Sequence, residues 1–318
     1  MPKPSDVHIS RALENILVAN LQEQTDYVAG NVFPFVPCDY ESGDYYIYDI
    51  ADTARLEVKE RAPSTESAGI DWIPTTDSFS CKEHMVHHDV DDRVANNADA
   101  GMEQRDSVGM LLTEQMLSFL DYLFAAEFFA VSKWTGSTTG SDIDPSTAWN
   151  NASGTPVSDV RAQASYMKRR TKKRPNCLVV SPDVHDALLT NVEVLSLLPS
   201  TSWQIPTNMD LAKAFDVQKY VVAGASYNAA AKGATTDMEN IFGSEQALLC
   251  YSAPAPAKFA PSAGYCFVPR SYGGNKYGVK AWEYYISQIH STRYEHGMLQ
   301  AMKQVSSVLG CFFYDVLS

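Results

Sequence analysis

No stretch of the 318 residues approaches the roughly 20 consecutive apolar residues that span a bilayer. Even the run Leu120–Val131 contains Asp121 and Glu127. The opening residues MPKPSDVHIS lack the apolar centre of a secretory signal, so none is expected. None of the six cysteines (Cys38, Cys81, Cys177, Cys250, Cys266 and Cys311) forms a C-x-x-C pair with another, and most lie in apolar, strand-like runs. Buried, reduced thiols are the expectation. Also missing are H-E-x-x-H, G-x-S-x-G, a phosphate-binding loop, a fixed-period repeat and a coiled-coil heptad. Positive charge is short: the formal net charge is −13. A protein that grips DNA by its phosphates carries a basic face. An acidic chain is suited to enclosing DNA with a wall that does not stick to it.

What the sequence does hold is apolar residues, 45% of the chain, enough for a real core. The longest regular signal is Met102–Trp134. Val108, Leu112, Met116, Phe119, Leu123, Ala126 and Ala130 step by three or four, which puts them on one helical face. Glu103, Ser107, Glu114, Ser118, Asp121 and Ser132 fall opposite. A helix of that length would run about 45 Å. It predicts an extended subunit built round a rod.

Ahead of the rod, residues 1–7 read as a loose tail and His8–Leu21 as a short amphipathic helix. Tyr45–Ile50 and Asp77–Asp89 read as strands, separated by the polar Ala51–Thr76. Two strands with a long excursion make an extended arm that cannot bury its own faces. Such an arm needs another subunit to lie on. Beyond the rod, Thr135–Thr155 reads as a hinge. Pro156–Lys173 is an expected helix with Pro156 in its first turn. Cys177–Val180, Tyr220–Ala223 and Ala247–Tyr251 are expected strands; Pro182–Leu189 and Leu211–Phe215 are expected helices. This alternation makes 156–269 an α/β unit. Val279–Thr292 and Val305–Val316 resume β character and are expected to end near the rod.

Four clusters could carry chemistry. Glu83-His84-Met85-Val86-His87-His88-Asp89 places three histidines near carboxylates. In a strand, however, His84 and His88 face away from His87. Interface histidines that loosen contacts below about pH 6.5 are the favoured reading over a metal-dependent enzyme. Lys168–Arg174 reads as a cationic helix end rather than a nucleic-acid patch. Gly273-Gly274-Asn275-Lys276 reads as a turn. Cys177, in an apolar setting, reads as an inert thiol. No catalytic, cofactor or metal residue is assigned, and the chain is expected not to be an enzyme.

The order of segments resembles the tailed-phage major capsid proteins of the Hong Kong 97 fold family. The residues that carry the likeness are Val32-Phe33-Pro34, Ser42-Gly43-Asp44-Tyr45-Tyr46 and Asp89-Val90-Asp91-Asp92-Arg93 before the long helix. Trp149, Pro175-Asn176-Cys177-Leu178-Val179, Ile241-Phe242-Gly243 and the terminal strands follow it. The resemblance implies an α+β capsid fold. Residues 1–43 would be an N-terminal arm and 44–90 an extended two-stranded loop. Residues 91–155 and 270–318 would form a peripheral domain with spine helix 102–134, and 156–269 an α/β axial domain. It implies a coat protein that assembles with itself into hexamers and pentamers of an icosahedral shell around double-stranded DNA. That shell would form in the bacterial host cytoplasm and become the virion capsid. Scaffold, portal and decoration proteins would be its partners, with no membrane and no cofactor. No long fused scaffolding segment is expected ahead of the arm. An encapsulin-like compartment of related fold is the alternative.

Overall fold

The sequence Cys-Leu-Val-Val at 177–180 is apolar at every position, which suits a strand covered on both faces. In the computed structural model it is the central strand of a four-stranded sheet. The structure describes residues 27–47, 55–69, 75–97, 104–197, 206–257, 260–272 and 277–318.

Among these the elements are α1 (Ala29–Val32), β1 (Phe35–Cys38), β2 (Ser42–Ile47), β3 (Thr75–Ser80), β4 (Lys82–Asp91), α2 (Asp92–Asn97) and α3 (Gln104–Phe128). Next come α4 (Pro156–Thr171), β5 (Cys177–Val180), α5 (Pro182–Thr190), α6 (Val192–Ser196), α7 (Asn208–Phe215), β6 (Lys219–Val222), β7 (Ser226–Asn228), β8 (Met238–Asn240) and β9 (Ala247–Cys250). The chain closes with β10 (Gly264–Pro269), β11 (Val279–Ile286), β12 (Ser291–Gln304) and β13 (Gly310–Phe313).

The four-stranded sheet has the order β13-β9-β5-β6, parallel only between β5 and β6. Side chains alternate across a strand, and here the alternation divides two cores. Cys177, Val179, Leu248, Cys250 and Phe312 face α3, where Phe33, Phe124, Phe128, Phe129, Trp134 and Phe242 join them. Leu178, Val180, Ala247, Leu249, Cys311 and Phe313 face α4, α5, α6 and α7, with Val160, Ala164, Met167, Leu188, Leu211 and Trp149. The expected positions Val160, Ala164 and Met167 are therefore the buried face of α4. Glu193 of α6 accepts the N–H groups of Val157 (2.8 Å) and Ser158 (3.2 Å), completing the start of α4. Helix α4 ends at Lys172, which is left-handed at φ 60 and donates its N–H to the Lys168 carbonyl. A capping box of Thr207 and Asp210 starts α7.

The second sheet is organised by β12, 14 residues long. Its first part lies between β11 and β4, both antiparallel to it, and its last residues pair with β10. Strand β1 joins in parallel to β10, from Phe35↔Cys266 to Cys38↔Pro269. Strands β2 and β3 form a separate two-stranded ladder, Ser42↔Ser80 to Ile47↔Thr75.

Several expectations need correction. The rod, expected to reach Trp134, ends at Phe128: the Trp134 indole folds back and donates its N–H to the Phe128 carbonyl at 2.7 Å. Ser132, between them, is left-handed at φ 63. The buried face of α3 is Leu112, Met116, Leu120, Asp121, Phe124 and Phe128, rotated from the expected stripe; Ala126 is exposed. The single strand expected over 77–89 is two. Cys81 interrupts it, and β4 leaves β3 for β12. The single β run expected over 279–292 is β11 turning into β12. Over 305–316, only Gly310–Phe313 is strand, after a short 3-10 turn. That strand pairs with β9, in the sheet of the 156–269 unit, whereas β10 (264–269) leaves that unit to pair with β12. The expected helix 8–21 and the turn at 273–276 lie outside the described residues.

Candidate functional site

The part of the molecule least able to satisfy itself is the β2–β3 hairpin and the segment beyond it. Its root is apolar and docked. Phe79 of β3 stacks on Phe267 of β10 with ring centroids 4.2 Å apart, and Tyr45 of β2 meets the same ring at 5.4 Å. Gly43 lies beneath Phe79, where a Cβ would come within 3.3 Å of the ring. The Tyr45 hydroxyl donates to Asp77 at 2.7 Å; burial, then this bond, raises the Tyr45 phenol, and the same bond lowers the Asp77 carboxyl. Outward from the root several of the described side chains are bare. Tyr46 is 63% exposed, Leu56 95% and Val58 89%. Residues 55–69 carry Leu56 and Val58 among Arg55, Glu57, Lys59, Glu60 and Arg61, and Arg55 pairs with Glu57 at 3.4 Å. Ion pairs this open contribute little. An extended arm with bare aliphatic side chains gains stability only from another surface.

A second feature fixes the entry of the N-terminal segment. Asp121, 1% exposed, accepts the Val28 N–H with both carboxylate oxygens (3.2 and 2.9 Å) and the Ala29 N–H at 2.8 Å. These are the first donors of α1, the groups a helix start leaves open. Burial pushes the Asp121 carboxyl up to about 7, against the opposing pull of the Ala29 and Val28 N–H groups. Sequence periodicity had placed Asp121 on the outer face. A carboxylate among apolar neighbours, Phe119, Leu120, Leu123 and Phe124, was the available signal.

The histidines do not converge. His84 packs edge-on to Phe119 of α3 at 4.8 Å, and burial lowers its value. His87 stands opposite Glu295 and His88 opposite Tyr294 on β12, both exposed. Glu83 accepts the Tyr272 hydroxyl at 2.7 Å. Asp89 receives two guanidinium N–H bonds from Arg293, at 2.6 and 2.7 Å. That bond is the main reason the Asp89 carboxyl lies low and Arg293 high. Among the described residues no three His, Cys, Asp or Glu side chains gather as a metal site would require.

No protein-family model and no curated protein matches the chain. Solved structures do. A phage-related protein from Bordetella bronchiseptica aligns over 97% of both chains with TM-score 0.68 and 16% identity. The mature capsid of bacteriophage PhiM1 aligns over 93% of this chain and 88% of its own, TM-score 0.60 and 10% identity. The SrpI encapsulin of Synechococcus elongatus aligns over 97% and 96%, TM-score 0.53 and 12% identity. The fold is that of capsid shell proteins. The likeness to phage capsid proteins read from the sequence is therefore met across nearly the whole chain.

Two candidates of the sequence remain, the cationic run and Cys177. Of the cationic run 168–174, Arg174 pairs with Asp216 at 2.6 Å and Arg170 donates to the Thr135 carbonyl at 3.0 Å. Arg169 lies over Tyr166 and Lys173 over Tyr251. The run ties a helix end to its surroundings. Cys177 is fully buried opposite Cys250. Among the described residues no helix is long and apolar enough to cross a membrane.

Proposed function

We propose that the chain is the major capsid protein of a tailed phage, a coat subunit that assembles into hexamers and pentamers of an icosahedral shell around double-stranded DNA. The observation that carries the reading is the alignment over 97% of both chains with the phage-related protein. The mechanism is association by shape. The exposed hairpin arm, with Leu56 and Val58 at its bare end, lies on a neighbouring copy and buries apolar area that the isolated subunit leaves in water. Closed point-group assembly makes each arm both donor and recipient of such contacts. Within this reading residues 1–43 are the arm and 44–90 the extended loop. Residues 91–155 and 270–318 are the peripheral domain, with β10 added. Residues 156–269 are the axial domain, with β13 added. The acidic net charge suits a container for DNA. The chain acts without catalysis, in the virion, with scaffold, portal and decoration proteins as partners.

The likeness to an encapsulin supports a second reading, a protein compartment enclosing a cargo protein. One experiment addresses both. Purified protein is fractionated by size and the excluded fraction imaged in negative stain. Closed particles, or rings of five and six subunits, are expected. Nuclease-protected DNA in particles isolated from the native source supports the phage reading, and a co-purifying cargo protein without DNA supports the second. A chain that stays monomeric at high concentration and with crowding agents would overturn both.

A further inference from the structure

Three thiols meet where the hairpin joins the body. Cys38 ends β1, opposite Pro269 of β10. Cys81 is the break between β3 and β4; its thiol reaches the Phe267 carbonyl of β10 at 3.6 Å, and its N–H donates to the Glu41 carbonyl at 2.7 Å. Strand β10 thus holds both residues, two positions apart along its length. Cys38 and Cys81 both pack against the apolar cluster of Phe79, Tyr265 and Phe267, their thiols are near enough for each to shift the other's ionisation, and both residues are half-buried, open to a small reagent. The third thiol, Cys266, is buried and directed to Gln300 Oε1 at 3.1 Å. The other close pair, Cys177 and Cys250, lies at the centre of the molecule with no exposed surface.

We propose that Cys38 and Cys81 form an intramolecular disulfide when the folded chain passes from a reducing to an oxidising medium, and that this bond staples the root of the β2–β3 hairpin to β1. The loop it closes contains the whole hairpin and the exposed segment beyond it. The oxidant is a low-molecular-weight disulfide such as oxidised glutathione. The Cys38 thiol gives up its proton, and its thiolate attacks one glutathione sulfur, releasing the other as thiolate. Cys81 then loses its proton and attacks the Cys38 sulfur of the mixed disulfide, releasing the second glutathione. Two protein thiols are oxidised and one glutathione disulfide is reduced to two thiols. Cys38 acts first because the neighbouring Cys81 thiol favours its ionised form, whereas Cys38 disfavours that of Cys81. Burial raises both thiols, Cys81 to about 12, so the reaction is slow at neutral pH. The bond draws on a contact already made inside one chain, so the chemistry does not depend on the shell reading.

The test uses the full chain. It is incubated overnight with oxidised glutathione in mildly alkaline buffer, alkylated without reduction, and mapped by peptide mass. A Cys38–Cys81 linked peptide is expected, with the intact chain lighter by two hydrogens and monomeric on a non-reducing gel. The oxidised chain is expected to melt several degrees higher than the reduced one. Neither the linked peptide nor the melting shift should appear in C38S or C81S, and both should persist in C266S. Two alkylated thiols at Cys38 and Cys81 after overnight exposure, persistent glutathione adducts on both, a Cys81–Cys266 link or a disulfide-joined dimer would each overturn the proposal. The wild-type peptide map decides the matter even where a variant fails to fold.

Discussion

Replacing Asp121 by alanine removes the carboxylate oxygens that accept the N–H groups of Val28 and Ala29, both in buried residues. A buried donor left without a partner costs about 1–3 kcal/mol. Two such donors set a gross loss of about 2–6 kcal/mol. Against this stands the release of a carboxyl that burial has raised to about 7. At pH 7 that release offsets about 4 kcal/mol, so the loss stands nearly undiminished only near pH 4, where the buried carboxyl is protonated. Asp121→Asn keeps one oxygen acceptor and carries no charge to desolvate, so it should cost less than Asp121→Ala. Urea unfolding of the unassembled subunit at pH 4 measures both. The pH dependence has a definite sign. The folded value lies above the unfolded one, so the group's contribution is fully present below about pH 4 and is lost as pH rises through about 7. Between those limits wild type should lose stability relative to Asp121→Asn, by up to about 4 kcal/mol at 1.36 kcal/mol per unit. At pH 4 an Asp121→Ala variant within about 0.5 kcal/mol of wild type would refute the anchor. A difference between wild type and Asp121→Asn that does not change from pH 4 to 7 would refute the assigned cause.

Gly310 lies under the Trp134 ring, where a Cβ would stand 2.1 Å from Cε3. Gly310→Ala should therefore destabilise by about 1–3 kcal/mol in the same unfolding assay, and an unchanged midpoint would contradict the packing. Arg293 holds the Asp89 carboxyl low, so this pair contributes stability above about pH 4 that is lost as pH falls through the lower folded value. Arg293→Met should move the acid-unfolding midpoint to higher pH, followed by circular dichroism; an unmoved midpoint counts against the pair. Leu112 is buried on α3, and Leu112→Asp should leave no soluble folded subunit, because the charge has no partner there. Normal particles from that variant would contradict the orientation of the helix. Deleting Glu57–Glu66, which is exposed throughout apart from a half-buried Glu57, should leave a folded subunit whose particle yield falls. Wild-type yield would remove the arm from the assembly mechanism.

The sequence by itself determined the elements whose cause is local. Pro156 and the Val160–Ala164–Met167 spacing set α4, and four apolar residues in a row set β5 as a strand covered on both sides. The existence of the long helix was legible for the same reason. Its buried face was not. Leu111, Leu117, Phe119, Leu120, Leu123 and Phe124 are apolar in several directions, and periodicity cannot choose among them. Tertiary structure chose the face containing Asp121, because two backbone donors from residues far away in sequence supply what a buried carboxylate requires. The helix end was decided in the same way, by Trp134 returning to the Phe128 carbonyl. Strand partners were also beyond the sequence. Cys81 divides one apparent strand between two sheets, β10 leaves its neighbours for β12, and β13 crosses to β9. The three histidines show the limit most plainly. Alternation along one strand separates His84 and His88 from His87, but only the register with β12 and the packing of α3 decide what each meets. Pairing between distant segments depends on which apolar faces remain open after local structure has formed, and that quantity belongs to the whole chain.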